Sequence, residues 1–140
     1  MTRLRIGISA LYRMNGGSLT YLSQLFRAWA EEGIDRSHDI VLFVRDESIQ
    51  QIRSVITPNI ALHSVGAGGL GSVRKILWEQ VWFPRLLQRE KIDVLFSTAN
   101  TTPIFGSTPR VVALRNAGPF CPTIRIRTVG FKLWIYMKIL

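Results

Sequence analysis

Five short apolar runs, separated by segments of helical spacing, set what this chain can fold into. The runs are Arg5–Leu11, Asp39–Val44, Asn59–Val65, Asp93–Ser97 and Arg110–Leu114. A run such as Ile40-Val41-Leu42-Phe43-Val44 offers no polar face to water, so both of its faces must be covered. That is the condition of a strand inside a parallel sheet. Between the first two runs, Leu22, Leu25, Phe26 and Trp29 recur at helical spacing. Ser18 is expected to cap that helix at its start, and Gly33 to end it. A short amphipathic helix is expected over Glu47–Ile56, stopped by Thr57-Pro58. A longer one is expected over Val73–Glu90, with a break at Pro84. Strands alternating with helices predict an α/β fold: a Rossmann-like, doubly wound parallel sheet covered on both faces.

Length and composition narrow the class. At 140 residues the chain is long enough for one domain with a real core. It is 47% hydrophobic and 19% charged, so it either buries much of its surface or offers an apolar face to a partner. No stretch reaches the ~18 uninterrupted apolar residues of a membrane span. The apolar run Ile6–Leu11 is too short for a signal-peptide core. A lone cysteine, Cys121, excludes an internal disulfide and fits a reducing compartment. The expectation is a cytoplasmic protein, peripheral at the inner face of the membrane if it meets lipid.

The net charge of +9 is unevenly placed. Residues 1–93 hold twelve Lys/Arg and all nine acids, whereas residues 94–140 hold six Lys/Arg and no acid. A basic half fits an anionic partner, or an acidic counterpart that lies elsewhere. The final stretch, Thr123 onward, interleaves basic and aromatic residues and opens like a helix. It carries no stop signal before Leu140 and reads as cut.

Three places hold residues suited to ligand chemistry. Asn15-Gly16-Gly17-Ser18 lies between the first strand and the first helix. Open α/β sheets bind ligands at the carboxyl ends of their strands, and helix N-termini attract anions. The same residues also suit a tight turn that uses Asn-Gly for its dihedrals, and spacing does not decide between the two. Gly66-Ala67-Gly68-Gly69-Leu70-Gly71 spells a dinucleotide fingerprint, but in the third βα turn rather than the first. It also lacks an acid at the end of the next strand, so a plain glycine-rich loop is expected. Ser97-Thr98-Ala99-Asn100 and Arg115-Asn116 sit at the tips of the fourth and fifth strands. Small polar groups there suit a hydroxyl-rich ligand, and Arg115 suits a phosphate. No zinc spacing, P-loop, nucleophile elbow or acidic metal cluster is present, and no nucleic-acid-binding signature accompanies the basic charge. His38 reads as a surface residue.

Four segments in this order resemble the N-terminal domain of GT-B glycosyltransferases, specifically the retaining family 4. They are Arg5–Leu11 with Gly16-Gly17-Ser18-Leu19-Thr20-Tyr21; Trp78-Glu79-Gln80-Val81-Trp82-Phe83-Pro84-Arg85-Leu86-Leu87; Asp93–Asn100; and Arg110–Phe120. The resemblance implies a Rossmann-like acceptor-side domain over residues 1–122, followed over 123–140 by the start of a basic, aromatic helix. It implies transfer of a hexose from a UDP- or GDP-sugar to a glycan or lipid-linked acceptor, with retention and without a metal or cofactor. It places Gly16, Gly17, Ser18 and Tyr21 on the diphosphate or substrate loop, and Asn100, Arg115 and Asn116 on the acceptor side. Many family members have His-Asp where this chain has Arg115-Asn116. The family's basic pair and E-x₇-E motif belong to a C-terminal nucleotide-binding domain that this chain does not include, so the chain alone is expected to be inactive. The alternative is a non-catalytic binding or membrane-docking module with an anionic partner.

Overall fold

A computed structural model describes residues 2–66, 72–99 and 101–113. The expected end of the fifth strand, residues 67–71 of the glycine-rich loop, and the basic segment 123–140 lie outside the described residues.

The five apolar runs form five strands in one all-parallel sheet: β1 (Arg5–Ala10), β2 (Asp39–Arg45), β3 (Ile60–Val65), β4 (Val94–Ser97) and β5 (Arg110–Val112). Their spatial order is β3-β2-β1-β4-β5. This α/β architecture is compatible with a Rossmann-like fold. Strand order reverses direction between β1 and β4, where open sheets of this kind leave a crevice at their carboxyl ends.

Each face of the sheet has its own core. Ile40, Leu42 and Val44 of β2 join Ile8 and Ala10 of β1 beneath α1 (Gly16–Glu31), with α1 supplying Leu22 and Phe26. Val41 and Phe43 point the other way and meet Phe83, Leu87, Ile92 and Leu95. This alternation within one strand is why the run of apolar residues in β2 has no exposed side. Gly7 makes the second core possible. A β-carbon there would stand 2.9 Å from Ile92 Cγ2 and 3.1 Å from Phe43 Cε2.

The helix boundaries differ from expectation in two ways. The cap of α1 is Asn15, not Ser18. Asn15 Oδ1 accepts from the Ser18 amide at 3.0 Å, and Ser18 Oγ accepts from the Asn15 amide at 2.8 Å. Ser18 is therefore the inner half of a capping box, with serine in the place more often held by Glu or Gln. At the other end Gly33, with φ of 70°, takes the left-handed position that a helix terminator needs. Two short helices, α2 (Ile34–Ser37) and α3 (Ile49–Arg53), complete that face, α3 after a 3₁₀ turn at Asp46–Ser48.

The helix expected to break at Pro84 does not break there. It runs as α4 (Ser72–Leu77), a π turn (Trp78–Trp82) and α5 (Phe83–Arg89). The Phe83 amide reaches back five residues to the Trp78 carbonyl. Pro84, which has no amide to donate, then falls in the first turn of α5, where a helix has no use for one. The π turn thus accommodates the proline within a continuous run of helical residues.

Candidate functional site

The carboxyl end of the sheet at the switch point is built from two segments, the one leaving β1 and the one leaving β4. Thr98, at the end of β4, is fully buried. Its hydroxyl donates to the Ser9 carbonyl at 2.9 Å and lies 3.1 Å from the Tyr12 phenol oxygen. A hydroxyl has one proton, and that proton goes to Ser9. The phenol of Tyr12 is therefore the donor to Thr98. The carboxyl ends of β1 and β4 are fixed by this chain of bonds as well as by the strand ladder.

The loop after β4 is held from the other side by the π turn. Thr101 Oγ1 donates to Glu79 Oε1 at 3.2 Å. Gln80 uses both ends of its amide: Nε2 donates to the Thr102 carbonyl at 3.4 Å, and Oε1 accepts from the Ile104 amide at 2.7 Å. Ser97 and Thr102 join hydroxyls at 3.0 Å. Arg110 completes the clamp by donating to the carbonyls of Pro103 and Gly106. Glu79 is buried, a costly place for a carboxylate unless its oxygens are hydrogen-bonded. A π turn commonly marks a place where side chains must be re-aimed, and here it aims Glu79 and Gln80 at one loop. In the sequence Glu79 and Gln80 show only as part of a helix motif, and their one signal is Pro84, five and four residues on.

The glycine loop takes the helical option, not the tight-turn option. Gly16 and Gly17 are the first two residues of α1, and neither has a positive φ. A β-carbon at Gly16 would meet nothing within 4 Å. The glycines are not required by conformation or by packing against the described residues. What they provide is an uncovered helix start. The Ser18 and Leu19 amides are satisfied by Asn15, whereas the Gly16 and Gly17 amides have no hydrogen-bond partner among the described residues. An uncovered helix start in an open α/β sheet suits a phosphate or another anion.

The other predicted site residues divide as follows. Ser18 is 4% exposed and spent on the capping box. Tyr21 is half-buried and packs against the core under α1. Asn100, Arg115 and Asn116 lie outside the described residues. His38 accepts from the Leu4 amide at 3.2 Å, a structural role at the opposite edge of the sheet. At that same edge the Arg3 guanidinium hydrogen-bonds Asp39 at 2.6 Å and holds its carboxyl below the ordinary carboxylate value.

Among the described residues no group of three or more His, Cys, Asp or Glu is placed to hold a metal ion, and no helix is long and apolar enough to cross a membrane. Compared with protein-family models, with curated proteins and with solved structures, the chain matches none at a significant level.

Proposed function

We propose that this chain is the acceptor-side half of a GT-B glycosyltransferase that moves a hexose from a UDP- or GDP-sugar to a glycan or lipid-linked acceptor with retention. One observation carries the reading. The carboxyl edge of the parallel sheet brings the uncovered Gly16-Gly17 helix start and the Tyr12–Thr98 hydroxyl pair out of the same β1–α1 and β1–β4 junctions. A transferase of this kind needs positive potential for a leaving diphosphate and directed hydrogen bonds for a sugar hydroxyl. The helix start suits the first need, and the half-buried Tyr12 phenol at the end of β1 suits the second. The donor nucleotide would be held mainly by a C-terminal domain that closes over this edge, with Asn100, Arg115 and Asn116 on the acceptor side. The test is an assay of the complete polypeptide encoded by the gene for transfer from labelled UDP- and GDP-hexoses to lipid and glycan acceptor pools. Turnover with retained anomeric configuration is expected. No turnover with either nucleotide would remove the reading.

A second reading, docking on an anionic lipid surface, is favoured by one feature of the π turn. Leu77 and Trp82 are 53% and 57% exposed, and with Trp78 and Arg74 they line an apolar groove of about 380 Å³. Exposed tryptophan beside arginine suits the boundary between acyl chains and anionic headgroups. Flotation with phosphatidylserine vesicles checks this. Salt-sensitive binding that is lost in Trp82→Ser supports it, and an unbound wild-type chain ends it.

A further inference from the structure

A cavity of about 500 Å³ opens beyond the carboxyl ends of β1 and β2, lined by Arg13, Met14, Arg45, Glu47, Ser48 and Gln51. The sugar-transfer reading makes no use of it. All its lining residues except Met14 are polar, so the cavity suits a polar ligand rather than an apolar one.

Arg45 is the informative residue. Its side chain is 17% exposed, and Nη2 meets Glu47 Oε1 at 3.1 Å. Its Nε is buried and has no hydrogen-bond partner among the described residues. Buried donors in folded proteins are satisfied as a rule, and guanidinium cannot lose its charge to escape the cost. A second guanidinium, Arg13, lines the same cavity from the segment that leads into α1 and pairs with no carboxylate among the described residues. Two cationic forks on one cavity match the oxygens of a phosphate. Beside them the exposed Glu47 carboxylate and Gln51 amide accept from and donate to hydroxyl groups, whereas the Ser48 side chain is buried beneath the cavity wall. The volume is that of a small-molecule pocket and exceeds what a bare phosphate fills.

The geometry points to this cavity as a binding site for a phosphorylated, hydroxyl-rich small molecule of the sugar-phosphate class, its phosphate held by Arg13 and Arg45 and its hydroxyls met by Glu47 and Gln51. The anion site stands on the cavity. Its place in sugar transfer, as the seat of an anionic acceptor, rests on the reading above.

Calorimetric titration of the complete polypeptide tests it, with glucose 6-phosphate as the probe and glucose and inorganic phosphate as comparators. Saturable binding of glucose 6-phosphate is expected, at least about tenfold tighter than either comparator. Arg45→Lys and Arg13→Gln are each expected to weaken it by about tenfold or more. Arg13 is exposed, so Arg13→Gln is expected to melt with the wild type and to keep the test sound even if Arg45→Lys does not fold. No saturable binding below about 10 mM overturns the site, as does unchanged affinity in Arg13→Gln. Phosphate binding as tightly as glucose 6-phosphate overturns the sugar part. Binding without transfer activity leaves the site and removes the acceptor role; transfer without binding removes the site and its acceptor role and leaves the sugar-transfer reading standing.

Discussion

The hydroxyl of Thr98 and the backbone amide of Thr98 both reach one oxygen, the carbonyl of Ser9, at 2.9 and 3.1 Å. That carbonyl belongs to the next-to-last residue of β1, so the register between β1 and β4 is locked close to the edge where a ligand would bind.

Thr98→Val keeps the shape of the side chain and removes its hydroxyl. It is expected to cost about 1–2 kcal/mol in urea unfolding, with Thr98→Ser recovering most of the loss. A Thr98→Val protein as stable as the wild type would show that the hydroxyl bond to Ser9 contributes nothing net.

The cap of α1 can be weighed separately. Asn15→Ala removes the acceptor for the Ser18 amide and is expected to cost about 1 kcal/mol, whereas Asn15→Asp retains most of the stability. Chemical denaturation of both variants checks this, and equal stability of the two would contradict the capping box.

Gly7→Ala is expected to cost about 1–3 kcal/mol, because its new methyl would crowd Ile92 and Phe43, which are both buried. Thermal melting reads this. Ile92→Val in the Gly7→Ala background is expected to recover part of the loss.

Gly16→Ala tests whether the open helix start is kept for function. Nothing crowds a methyl there, and alanine is the better helix former, so a gain of about 0.5 kcal/mol is expected. On the sugar-transfer reading the same variant loses transfer activity. A more stable and equally active protein would separate the helix start from catalysis.

The Arg3–Asp39 pair predicts one part of the acid response. The hydrogen bond from Arg3, aided by its charge, lowers the Asp39 carboxyl below its ordinary value near 3.8. A carboxylate lowered in the folded state adds stability above its unfolded pKa and loses it as pH falls through the folded one. Asp39→Asn is therefore expected to differ from the wild type at neutral pH and to converge with it in strong acid. The difference is small, because both partners are exposed, and it shrinks further in high salt.

Much of the architecture was legible because hydrophobic period dominates it. The run Ile40–Val44 fixed β2 as a strand covered on both sides, and the spacing of Leu22 and Phe26 fixed which stripe of α1 faces the sheet. The cap of α1 was misplaced by three residues because Asn15 and Ser18 are both good caps, and only the reciprocal bonds show which is outermost. Pro84 was read as a break, since the rule for proline assumes an α ladder and the preceding π turn changes that ladder. The cavity between Arg13 and Arg45 is invisible in the sequence, because thirty residues lie between Met14 and Arg45 and neither arginine belongs to a motif.

The π turn at Trp78–Trp82 also means that α4 and α5 together carry one residue more than a plain helix needs. Losing any one residue there would let the segment close into an ordinary ladder while α4 and α5 keep nearly the same phase, because the wide turn spends five residues on the angle that about four span in a plain helix. Trp78 and Phe83, stacked at 5.6 Å, would stay on one face, but the widened turn that aims Glu79 and Gln80 at the β4–β5 loop would be gone. The shape of a loop at the sheet's edge is thus recorded as a residue count in a neighbouring helix, so length changes in that helix are read out at the site.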